Sequence, residues 1–215
     1  MTENDTLATR LTSSETGQEA SLWLPLMKLL AQGDPVEIST LATVTGRSEA
    51  DVRQALAAVP DIEYEYGRII GQGLTLRPTP HRFEVNGEQL YTWCALDTLI
   101  FPTLLDASAR VESVSPTTGE PITITVGPRG VQSVSPETAV VSLVNPSDMT
   151  SVRSAFCNQV HYFTSAGDAQ TWLETHPGGE VMPVTEAYAL GTQMARTMIE
   201  NAQEVGRPSR ADSCC

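Results

Sequence analysis

Cys94 and Asp97 lie three positions apart in a strongly apolar stretch, residues 90–102 with the sequence LYTWCALDTLIFP. The pattern predicts a buried helix up to Phe101 that Pro102 ends or kinks, with the thiol and the carboxyl adjacent on one face. Burial favours the protonated form of a carboxyl group. The pair would then be a proton donor beside a soft nucleophile. The alternative is a small core cysteine beside a capping or hydrogen-bonding aspartate.

Cys157 lies at the end of a helical pattern at residues 148–158, just before a predicted strand, Val160–Thr164. Groups at the junction of two elements often project into active sites. His161, four residues later, raises the options of a zinc pair or a nucleophile–base dyad. Zinc requires more ligands, and the chain has 3 histidines and no Cys-x-x-Cys motif. Positions four apart in a strand are about 13 Å apart, so we interpret His161 as a packed strand residue.

Cys214 and Cys215 end the sequence. Neighbouring cysteines form at best a strained disulfide, so we expect reduced thiols. Two thiols at a terminus either have no function or capture and pass on a soft metal ion.

Composition excludes several classes of protein. The 215 residues are 40% hydrophobic, with 4 cysteines and a formal net charge of −13. This argues against disorder, a disulfide scaffold and nucleic-acid binding. The first residues, MTEND, lack the features of a signal peptide, and no stretch approaches the roughly 20 apolar residues of a membrane span. We therefore expect a cytoplasmic protein without membrane contact.

The N-terminal pattern predicts a winged-helix-like segment. Three helical stretches at about residues 21–33, 35–46 and 48–59 precede a hairpin at residues 62–76. The third helix carries Glu49 and Asp51, which would repel phosphate. A structural or lid role is therefore favoured over DNA binding.

The rest of the chain predicts an α+β fold of mostly antiparallel sheets with flanking helices. Asn86-Gly87 marks a two-residue hairpin turn, and alternating strands follow through residues 109–145. The predicted division is a flexible N-terminus (1–20), a winged-helix-like region (21–80), a catalytic core (81–203) and a mobile tail (204–215).

Residues 90–102 resemble the signature of the alkylmercury lyase (organomercurial lyase) family, and SAFCNQVHYF at residues 154–163 resembles its second cysteine motif. The resemblance runs from about Leu22 to Ala195 and includes YGRIIGQGLTL and EAYALG. It implies a winged-helix-like region followed by an α/β region of open, mostly antiparallel sheets.

The resemblance also implies an activity: protonolysis of the carbon–mercury bond of a small organomercurial, without a cofactor, to give a hydrocarbon and Hg(II). By motif position, Cys94 and Cys157 are the mercury ligands and Asp97 is the proton-handling acid. Hg(II) is a soft cation that thiolates bind well. The product would leave to cytosolic thiols or to mercuric reductase, with Cys214 and Cys215 as candidate relay ligands.

Ser115 replaces a cysteine that some members of the family carry, and the two-thiol mechanism does not need it.

Two other functions compete. One is a non-catalytic sensor or carrier that holds mercury, or another soft metal, on Cys94 and Cys157. The other is a structural protein or thiol-dependent hydrolase built on Cys157 and His161. Asp97 discriminates between these functions, because only a protonolytic enzyme needs a buried acid beside the thiols.

Overall fold

The structure is a computed structural model that describes residues 3–12 and 19–205. The helices are α1 (Glu3–Leu11), α2 (Ala20–Leu30), α3 (Ile38–Thr45), α4 (Glu49–Ala57), α5 (Asp97–Leu105), α6 (Val152–Ala155), α7 (Gln170–Thr175) and α8 (Val184–Val205). The strands are β1 (Glu63–Glu65), β2 (Arg68–Gln72), β3 (Leu74–Thr75), β4 (His81–Val85), β5 (Glu88–Thr92), β6 (Ala109–Val114), β7 (Pro121–Gly127), β8 (Gly130–Ser135), β9 (Val140–Leu143), β10 (Tyr162–Phe163) and β11 (Glu180–Pro183). A 3-10 turn, Cys157–Gln159, follows α6.

The strands form two sheets in which neighbours run antiparallel. The larger has the order β1-β2-β3-β5-β4-β6-β7-β8 and the smaller β10-β9-β11. The turn between β4 and β5 is Asn86-Gly87, whose φ angles of 54° and 86° suit this residue pair. The predicted α+β class and antiparallel sheets are confirmed.

The N-terminal region has the predicted winged-helix arrangement, with α2, α3 and α4 followed by the β1–β2 hairpin. Ser48 caps α4 by accepting a hydrogen bond from the Asp51 backbone N–H at 3.2 Å. Val36 joins the hairpin through reciprocal backbone bonds to Ile69 of 2.8 and 2.9 Å. The β1–β2 hairpin, which is the wing of this arrangement, is therefore hydrogen-bonded to the helical region.

Helix α1 occupies part of the segment that we expected to be flexible. Leu7 and Leu11 are buried, and α1 packs against α8. This apolar spacing supplies a helical face that the sparse pattern of residues 1–20 did not indicate. Residues 206–215 of the predicted tail, including Cys214 and Cys215, lie outside the described residues.

One hydrophobic core joins the N-terminal helices to the larger sheet, with Leu26, Phe83, Phe101 and Met194 among its members. Helices α5 and α8 pack closely within it. Among residues 3–12 and 19–205, no helix has both the length and the hydropathy needed to cross a membrane.

Candidate active site

Cys94 lies in the turn between β5 and α5, so the prediction that it shares a helix with Asp97 was wrong. Strand pairing continues to Thr92, which lies opposite both Leu74 and His81, and helical geometry begins only at Asp97. The Thr92 hydroxyl donates to the Cys94 carbonyl at 2.8 Å. These bonds hold the Cys94 turn at the end of a central strand.

Asp97 is the first residue of α5, and its carboxylate accepts the backbone N–H of Cys94 at 3.2 Å. Thiol and carboxyl therefore meet through a capping-type turn rather than through helical spacing. Helix α5 also continues past Pro102 to Leu105, because its burial against α8 and the sheet outweighs the one backbone bond that proline removes.

Cys157 is buried at the start of the 3-10 turn, far along the chain from Cys94. Ser151 caps the short α6 by accepting from the Ser154 backbone N–H at 3.3 Å. The Val160 carbonyl then accepts the Ala95 N–H at 3.2 Å. This last bond joins the Cys157 segment directly to the Cys94 turn.

The structure brings Cys94, Asp97 and Cys157 together, with one sulfur or carboxylate oxygen from each within 4.8 Å of the others. Both cysteines are free thiols and both are buried. Two soft ligands and one carboxyl group thus face a common point. Among the described residues, this is the group of His, Cys, Asp and Glu side chains with spacing suited to a metal ion.

Burial controls the protonation of this group. It raises the pKa of Asp97 to about 7, although hydrogen bonds from Cys94 and the Trp93 backbone act in the opposite direction. It also raises the pKa of Cys94 well above the usual thiol range, assisted by the hydrogen bond to Cys157 and by the charge of Asp97. The hydrogen bond to Cys94 lowers the pKa of Cys157, but burial and nearby Asp97 leave that pKa above its ordinary value.

A mostly apolar cleft opens beside the three groups. Asp97 and Cys157 line it together with Trp93, Leu96 and Phe101, the apolar neighbours expected from the sequence. Asp97 retains a partly exposed edge there, whereas Cys94 is fully buried. The cleft can therefore hold a hydrophobic group against an acid that burial keeps protonatable.

His161 and Ser115 lie outside this group of three residues. The His161 ring stacks on His81 with centroids 6.4 Å apart and meets Phe163 edge-on, as expected for a packed residue. Ser115 is buried and accepts the backbone N–H groups of Thr117 and Thr118 at 3.1 and 3.3 Å, so it stabilises a turn.

Sequence reasoning missed several residues around the site. Arg153 places its guanidinium carbon 4.8 Å from the centre of the Trp93 ring. Leu11, Met194 and Met198 line the cleft from α1 and α8. Nothing in the sequence near Arg153 indicated its contact with Trp93, which lies far away along the chain.

Known proteins resemble the chain over nearly its whole length. The family model described as "Alkylmercury lyase" matches residues 74–196. The model "Helix-turn-helix domain of alkylmercury lyase" matches residues 4–73.

Individual relatives carry the same name. An alkylmercury lyase of Streptomyces lividans is 53% identical over 199 residues, covering 90% of this chain and 93% of that protein. One of Bacillus cereus is 47% identical over 220 residues, covering 100% and 98%. The solved structure of the mercury-bound form of MerB2 superposes with a TM-score of 0.78 at 28% identity, covering 92% of this chain and 100% of that one.

Proposed function

The chain belongs to the alkylmercury lyase family and cleaves the carbon–mercury bond of organomercurial compounds, and we propose that Cys94, Cys157 and Asp97 perform this reaction. The observation that supports this assignment is the convergence of two buried thiols and one partly buried carboxyl group within 4.8 Å. Each group that the reaction requires is a side chain of the protein, so no cofactor is needed.

The first step attaches mercury to the protein. Cys94 forms a sulfur–mercury bond and displaces the thiolate that accompanies the organomercurial in solution. Coordination to mercury releases the thiol proton despite the high pKa of Cys94, because a metal-bound thiol is deprotonated. Asp97 accepts that proton and transfers it to the departing thiolate, so the small thiol leaves protonated.

Cys157 then supplies the second sulfur–mercury bond, and its proton passes to Asp97. Mercury now carries two thiolates and the organic group, which increases the electron density on the carbon atom. The carboxylic acid of Asp97 protonates that carbon as the carbon–mercury bond breaks. The hydrocarbon leaves, Hg(II) remains on both sulfurs, and Asp97 is again a carboxylate.

The cleft suits the organic part of the substrate. Phe101, Trp93 and Met194 give it an apolar wall beside the acid. The wall holds a hydrophobic group and limits the water that could stabilise the charge of Asp97. A sensor or carrier would need the two thiols but not this protonatable acid.

The remaining assignments are also proposals. Reduced thiols at the site fit a cytoplasmic enzyme that passes Hg(II) to cytosolic thiols or to mercuric reductase. Cys214 and Cys215 would relay the metal outward. Deleting residues 213–215 should slow transfer of Hg(II) to mercuric reductase, and an unchanged transfer rate would exclude the relay.

The decisive assay mixes the purified protein with phenylmercury and excess thiol and measures benzene. Cys94→Ser and Cys157→Ser should each abolish benzene formation, whereas Cys214→Ser should retain it in a single turnover. Absence of benzene with the wild type would refute the activity. Full activity in either core variant would refute the two-thiolate mechanism alone.

A further inference from the structure

Two acids at the wing contact the segment that carries Cys157. Resting on the proposed function, we propose that Glu63 is a positioning residue of the lyase: through Arg153 it holds Cys157 in register with the Cys94 turn, and Asp61 anchors the same segment. The wing of the winged-helix region thereby positions a thiol that takes part in catalysis.

Asp61 binds the start of α6 with both carboxylate oxygens. Its Oδ1 accepts the Ser151 hydroxyl at 2.8 Å, and its Oδ2 accepts the Arg153 backbone N–H at 3.1 Å. Ser151 is also the cap of α6, so the acid fixes the first turn of the helix that leads into Cys157. The two bonds join residues that are 90 and 92 positions apart in the sequence.

Glu63 is 6% exposed and binds two side chains. Its carboxylate pairs with the Arg153 guanidinium and accepts the hydroxyl of Thr75. Gly71 leaves room for this arrangement, since a Cβ atom there would collide with Glu63 and Thr75. Glu63 is buried, it is paired with a cation, and it occupies room that only a glycine at position 71 leaves open. These features distinguish the contact from an ordinary surface ion pair.

Arg153 completes the connection between the two thiol-bearing segments. Its guanidinium carbon lies 4.8 Å from the centre of the Trp93 ring, within the range of cation–π attraction. Trp93 immediately precedes Cys94, and Arg153 is four residues before Cys157. One cation, oriented by Glu63, therefore contacts both segments whose sulfurs must bind the same mercury atom.

The geometry predicts which step depends on Glu63. Attachment of mercury to the first thiol needs only the Cys94 turn, which has its own bonds to Thr92 of β5 and to the Asp97 carboxylate. Cleavage needs both sulfurs at one metal, so it is sensitive to displacement of the Cys157 segment. A displacement of about 1 Å is enough to slow a positioned reaction by about a hundredfold.

The test uses the full-length Glu63→Gln variant and phenylmercury. We expect kcat for benzene formation to fall about tenfold or more, with KM changed less than about twofold. Glu63→Asp, which restores the charge, should recover part of kcat. Glu112→Gln is the control, because it removes another carboxylate paired with arginine, at a partly exposed position on β6 outside the site, and should leave kcat unchanged.

A double-mutant cycle, with kcat referred to the folded fraction of each variant, tests whether Glu63 acts through Arg153. If Glu63 acts through Arg153, Glu63→Gln should cause no further loss of kcat in an Arg153→Met background. Unchanged kcat in the single variant, or multiplicative losses in the double variant, would overturn the positioning role. So would a loss of activity that only tracks the unfolded fraction. Absence of benzene with the wild type would instead overturn the proposed function.

Discussion

Asp97→Asn tests the central acid through stability as well as catalysis. The pKa of Asp97 is raised from 3.8 to about 7 in the folded protein. A raised pKa means that folding disfavours the carboxylate, so the contribution of Asp97 to stability is fully present below the unfolded pKa. It is lost as the pH rises through the folded pKa.

The size of the loss follows from the two pKa values. Each pKa unit corresponds to about 1.4 kcal/mol, so between about pH 5 and about pH 8 the wild type should lose roughly 2 to 3 kcal/mol relative to Asp97→Asn. Asparagine is uncharged throughout this range and can still accept the Cys94 backbone N–H. The variant should therefore become the more stable protein as the pH rises.

Urea denaturation of both proteins at the two pH values measures this difference. Asp34→Asn, at an exposed position outside the site, is the matched control and should follow the wild type. Asp97→Asn should also bind phenylmercury but release benzene about a hundredfold to ten-thousandfold more slowly than the wild type, because it lacks the acid. A wild type and variant with parallel stability profiles would refute the raised pKa, and unimpaired cleavage would refute the acid role.

Three further substitutions examine other parts of the structure. Cys157→Ser should still bind phenylmercury at the first thiol, as detected by mass spectrometry, but form no benzene. Gly73→Ala should lower the free energy of unfolding by about 1 to 2 kcal/mol in urea, because Gly73 has a φ of +85°. Its Cβ would lie 3.1 Å from Phe101 Cζ, so cleavage of phenylmercury should slow more than that of methylmercury. Ser48→Ala should lower the free energy of unfolding by about 1 kcal/mol and leave benzene formation unchanged, because it removes only the α4 cap.

Local signals predicted the elements that local physics controls. The Asn86-Gly87 turn follows from backbone preferences that act within a few residues, and it occurs where expected. The boundary between β5 and α5 did not follow from such signals. Residues 93–96 are all buried, so their hydrophobicity shows neither the two-residue alternation of a strand nor the 3.6-residue period of a helix.

The site itself required tertiary information. The spacing of Cys94 and Asp97 predicted their contact for the wrong reason, since the Asp97 carboxylate meets Cys94 across a turn. Nothing in composition or periodicity links Cys94 with Cys157; that pairing came from the family resemblance. The contacts of Arg153 with Glu63 and Trp93 had no local signal, because they join segments that are distant in sequence.

The same contacts bear on the role of the winged-helix region. Arg47 is paired with Glu19 and Arg53 with Glu49, so two basic groups that a nucleic-acid reader would direct at phosphate are bound to carboxylates within the protein. Asp61, just before β1, meanwhile binds the Cys157 segment. A fold often used to read DNA is here connected to the mercury chemistry by the acids of its wing. If that connection positions the second thiol, substitutions of Asp61 or Glu63 should slow cleavage even though neither residue lines the cleft.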